Sequence, residues 1–165
     1  MPLGELPPSE EERTWRRRFA SHANNRAWTL SEQASRTPQE DLDMLDAAHA
    51  AMHLWRAIGN DRNLALAELL LGQVHALLGS ARFALPYAEA AHAYFTSNPS
   101  ELCDLAISHA VLANAAHCAG NSALYEKSYR AASAFIAKLP DGDDKAIVEQ
   151  TMSVVPKPEK HVDQC

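Results

Sequence analysis

The chain has 165 residues, 47% hydrophobic and 22% charged, enough apolar material for one domain with a real core and too much for a disordered chain. Fifteen Lys and Arg stand against twenty-one Asp and Glu, and the net charge of −6 argues against nucleic acid or an anionic membrane as the partner. No apolar run approaches the length of a membrane span, Met1 to Pro8 lacks the apolar stretch of a signal peptide, and the three cysteines show no CxxC spacing, so a reducing, cytoplasmic setting is expected.

Residues 1–8 hold three prolines and are expected to be a disordered leader before a single domain over 9–153. Ser9 with Glu12 has the spacing of a capping box, opening a helix that runs to about Ser35. Trp15, Phe19, Ala23, Ala27, Leu30 and Ala34 share one side of it, and Trp15, Trp28 and Trp55 are expected in inter-helix packing. Glu12 and Arg16 lie four apart and can pair, so the run Arg13, Arg16, Arg17, Arg18 reads as a solvated helix face. Thr37-Pro38-Gln39-Glu40 starts a second helix that ends at Ile58, before Gly59-Asn60.

A helical hairpin follows, Leu64 to Leu78 and Ala81 to Phe95, with Gly79 suited to the left-handed residue after a helix and Ser80 placed to cap the next. Pro86 is expected to bend the fourth helix. A fifth helix spans Glu101 to Ala119 and a sixth Ala123 to Lys138. A short seventh lies near Asp143 to Ser153, and 154–165 is expected to be a flexible tail. No segment has the pattern of a strand.

Ala47-Ala48-His49-Ala50 recurs 43 residues on as Ala90-Ala91-His92-Ala93, and again after 41 as Ala131-Ala132-Ser133-Ala134. A period near forty with two helices per unit predicts an all-α stack of about three antiparallel hairpins with a short capping helix. Leu71-Gly72, His75, Gly79, Ala84, Ala88 and Ala91 follow the spacing of small and large residues in tetratricopeptide (TPR) repeats, as do Leu112-Ala113, Gly120, Tyr129 and Ala132. Residues 27–138 therefore resemble that family. Glu68 and His109 stand where its early aromatic is usual. Asn24 to Trp28 and the Ala-Ala-His-Ala run are also similar to uncharacterised bacterial proteins of this type. The resemblance implies a right-handed helical array that binds a protein or peptide in its groove, which Leu66, Gln73, Ala76 and His117 would line.

Eight histidines supply the other signal. His49 and His53 are four apart on one helical face, and Glu68 and His75 are seven apart on the next. Stacked repeats would bring these four near Asn25, Glu32, His92 and His109. Buried polar side chains need partners, and the layer either satisfies itself or takes a ligand. Three imidazoles and a carboxylate, from His49, His53, His75 and Glu68, would suit a divalent Zn, Fe, Ni or Cu ion, with Asn25, Glu32, His92 and His109 as further contacts. There is no HExxH motif, nucleophile elbow or phosphate loop, and adjacent His117 and Cys118 point about 100° apart on a helix. An interaction module therefore ranks ahead of a metal- or small-molecule-binding protein, and either can form a homodimer through the end of the array.

Overall fold

The computed structural model describes residues 9–158, and these form seven α-helices with no strand among them. They are α1 (Glu10–Ser31), α2 (Pro38–Ile58), α3 (Asp61–Leu77), α4 (Ala81–Ser97), α5 (Leu102–Cys118), α6 (Ser122–Ile136) and α7 (Asp143–Ser153). The expected leader over residues 1–8 lies outside the described residues, as does the end of the expected tail beyond residue 158.

The helix ends follow local chemistry. Thr37 and Glu40 close a reciprocal capping box, and Pro38 opens α2. At α1 only half of the box forms: Ser9 Oγ accepts from the Glu12 amide, while the Glu12 carboxylate pairs with Arg16 at 2.6 Å. α1 stops at Ser31, four residues before the expected end. α3 starts earlier than its apolar pattern suggests, because Asn60 and Asn63 cap each other's backbone. Ser80 makes no side-chain cap, contrary to expectation, and α4 runs on through Pro86 to Ser97. Gly79 and Gly120 hold φ of 71° and 70°. After each, the amide of the next residue, Ser80 or Asn121, reaches back to the carbonyl of His75 or Ala116, so both helices end in the same left-handed motif.

α1 packs on α2, α3 on α4 and α5 on α6, and each of these pairs meets the next through α2 with α3 and α4 with α5. The odd-numbered helices also form a row, α1 on α3, α3 on α5 and α5 on α7. Side chains about one period apart join across it. Arg62 pairs with Asp104, 42 residues on, and the Asn114 carboxamide donates to Gln73 Oε1, 41 residues back, at 2.9 Å. Small residues set the spacing: a Cβ on Gly72 would stand 3.0 Å from the Ala88 nitrogen, so any side chain there would force the α4 backbone back by a few tenths of an ångström.

α7 continues the row, and its far end returns to the beginning. Gln150 Nε2 donates to the Glu32 carbonyl at the end of α1, 3.2 Å away and 118 residues distant in sequence. Val148 and Thr151 are fully buried, Val155 nearly so, and the Pro156 carbonyl accepts from the Tyr125 hydroxyl. Residues 154–156 are therefore part of the packed structure, a correction to the expected tail. Trp28 and Trp55 pack against the core as expected, but Trp15 and Phe19 are 48% and 57% exposed. Among the described residues, α1 heads the first hairpin.

Candidate functional site

The polar layer does not assemble as one site. His49 and His53 project from the exposed side of α2, and only His49 reaches His75, with ring centroids 5.5 Å apart. Glu68, two turns earlier on α3, lies under the influence of Arg56 instead, and burial holds its carboxyl above the ordinary range. Among the described residues no three His, Cys, Asp or Glu side chains come close enough to hold a metal ion. His49, His53, Glu68 and His75 are thus not a preformed ligand set: Glu68 and His75 share a face of α3 but stand two turns, about 10 Å, apart along it. Asn25 is exposed and bonded by Asn24, and Glu32 sits at the end of α1.

Two imidazole pairs remain, one at each junction between hairpins. In the first, the His75 ring is enclosed by His49, Phe83 and Tyr87, stacking on Tyr87 at 5.9 Å. Both of its nitrogens are buried without a hydrogen-bond partner. Burial, with His49 adding to it, pushes its pKa down, so the ring is neutral. In the second, His92 of α4 and His109 of α5 stand edge to face with centroids 4.4 Å apart, and His109 stacks on Phe135 of α6. Burial lowers the pKa of both rings, and the positive charge of Lys127 adds to the effect. His109, which His92 also disfavours, falls to about 4.

The second pair opens onto a cleft of about 410 Å³ between α4, α5 and α6. The contacts of Ser108 favour one His92 tautomer. The Ser108 hydroxyl donates its one hydrogen to the Leu105 carbonyl at 2.9 Å, so the 3.3 Å contact between His92 Nδ1 and Ser108 Oγ is donated by His92. His92 Nε2 therefore keeps its lone pair. His109 Nδ1 is buried with no partner. Lys127, Ser128 and Glu89 also line this cleft and were not singled out by sequence. Ser108 and Lys127 lie on helical faces that carry no motif.

The expected groove residues part company. Gln73 is fully buried and bonded by Asn114, and Ala76 is 8% exposed. Leu66 lines a small cavity with Trp28, Trp55, Asn24 and Asn25. Ala76 and His117 line another, of about 420 Å³, with Val154 and Pro156 across it. Val154 and Pro156 thus close over the part of the row that carries Ala76 and His117. The match between Gln73 and Asn114 was available to sequence, since they are separated by the same 41 residues as Gly79 and Gly120.

The two described thiols, Cys103 and Cys118, offer little chemistry. Burial raises the pKa of Cys118, and burial with the nearby Asp144 and Asp104 raises that of Cys103, so neither is an activated nucleophile. No protein family, curated protein or solved structure matches the chain. Function is therefore argued from this geometry alone. No helix among the described residues is long and apolar enough to cross a membrane.

Proposed function

We propose that the chain is a TPR-like, right-handed array of about three helical hairpins with a short terminal helix, and that it acts as a protein-binding module rather than an enzyme. The hairpin order and the side-chain bonds between α3 and α5 at about one repeat period support the architecture. The binding role is carried by α1. Trp15 and Phe19 stack at 5.9 Å on its exposed side, with the Arg18 guanidinium 5.2 Å from the Trp15 ring. Aromatic residues beside arginine are the composition of interface hot spots, and leaving two such rings half in water is unfavourable for an unpartnered protein.

The test is site-specific crosslinking from a photoreactive phenylalanine at position 19 of the full chain, in its own cells, with the product identified by mass. The expected result is a defined crosslinked protein that is lost on Trp15→Ala. Sedimentation of the purified chain distinguishes a second copy from a different partner. No crosslink, with Trp15→Ala and Phe19→Ala indistinguishable from the parent in cells, would sink this reading.

A second reading, binding of a small molecule, is favoured at one place. The cleft beside His92 and His109 has the volume of a ligand site and is lined by both apolar and polar side chains.

A further inference from the structure

The two walls of that cleft have opposite hydrogen-bonding character. From α4 come acceptors: the Glu89 carboxylate and, one turn on, His92 Nε2 with its lone pair. From α6 come donors: the Lys127 ammonium and the Ser128 hydroxyl. Neither Glu89 nor Lys127 belongs to any ion pair among the described residues, so the two charges face the cleft without neutralising each other. The floor and one side are apolar, from Leu112 and Leu124.

This arrangement selects among ligand classes. A divalent metal on the two imidazoles would sit in the field of Lys127, which already bears on both rings. A phosphate dianion would meet Glu89 across the cleft. A neutral apolar molecule would use only Leu112 and Leu124 and leave the polar walls to water. A small zwitterion meets every requirement, with its carboxylate on Lys127 and Ser128, its ammonium on Glu89 and His92 Nε2, and its side chain on the leucines.

We propose that the cleft between α4, α5 and α6 is a binding site for a free amino acid or a close zwitterionic analogue, held between the acceptor wall of Glu89 and His92 and the donor wall of Lys127 and Ser128. The proposal rests on the small-molecule reading of this cleft and names its ligand class. It is independent of the protein-binding role of α1. Selectivity among side chains is set by Leu112 and Leu124, so aliphatic amino acids bind more tightly than acidic ones.

The experiment is a proton NMR titration of the full chain, following the imidazole signals of His92 and His109. The twenty common L-amino acids are added singly, then the methyl ester and the deaminated acid of the best binder, then inorganic phosphate. One or more amino acids shift both histidines, while the ester and the deaminated acid each bind about tenfold more weakly. Lys127→Gln weakens the amino acid and the deaminated acid alike, and Glu89→Gln weakens the amino acid but spares the deaminated acid. Both substitutions are at exposed positions, and circular dichroism checks that the fold is kept. If phosphate binds and no amino acid does, the ligand class is wrong and the site stands. If no probe shifts either histidine, both the class and the site are overturned. Undiminished amino-acid binding in Lys127→Gln also overturns the proposal.

Discussion

His75 shows what a single residue contributes in this protein. Its ring is packed among His49, Phe83 and Tyr87, yet neither nitrogen has a hydrogen-bond partner. A buried polar atom without a partner costs stability, so His75→Leu is expected to stabilise the fold by about 1 kcal/mol, measured by urea unfolding. The same burial makes stability depend on pH. His109 titrates near 6.5 when unfolded and near 4 when folded, and His75 and His92 are shifted in the same direction. The unfolded chain thus binds more protons as pH falls. Stability is full above about pH 7, declines from pH 6.5 to about 4 and levels off below, as far as these rings are concerned. Solvent screening at the half-buried His109 limits its share to about 1–2 kcal/mol. His109→Phe should flatten that decline in a series of urea melts; an unchanged slope would show that the carboxylates dominate it.

At the scale of elements, close approach between helices rests on particular small residues. Gly72 faces the Ala88 backbone at 3.0 to 3.1 Å, so Gly72→Val should cost about 1–3 kcal/mol by forcing α3 and α4 apart. The Gln73–Asn114 bond joins α3 to α5 in a buried setting. Asn114→Ala leaves the whole Gln73 amide unpaired and should cost about 1–3 kcal/mol, whereas Gln73→Leu with Asn114→Leu should recover most of it. A double-mutant cycle in urea reads the coupling directly. Most helix boundaries were legible because caps are local: Thr37, Gly79 and Gly120 do what their types dictate. The start of α3 was missed because its apolar pattern begins after the Asn60–Asn63 cap. The expected Ser80 side-chain cap does not form, although Asn121 at the equivalent turn caps α6.

For the whole molecule, the contact between Gln150 and the end of α1 changes how unfolding should proceed. A linear repeat array unfolds piecewise, each unit held only by its neighbours. Here the last helix meets the first, and all three tryptophans lie in α1 and α2. Val148→Ala in α7 should therefore lower stability by about 2 kcal/mol in a transition seen equally by tryptophan fluorescence and by circular dichroism. A helix signal that melts before the fluorescence would mean that α7 detaches separately and the closure is weak.

The division between what was readable in advance and what was not follows the range of the forces involved. Helix periodicity, caps and a repeat near forty residues are local or periodic, so the all-helical class, the seven helices and the pairing of neighbours were written in the order of the residues. The direction in which each side chain points after packing is not local. Repeat arithmetic put eight polar residues in one layer, but only two imidazole pairs meet, because a residue's neighbours depend on helix rotation and crossing angle as well as on register. The same reason hid the return of α7 to the end of α1, which rests on a bond across 118 residues between a side chain and a backbone carbonyl that has no side-chain identity to read. The donor and acceptor walls of the cleft likewise exist only once α4 and α6 face each other across α5.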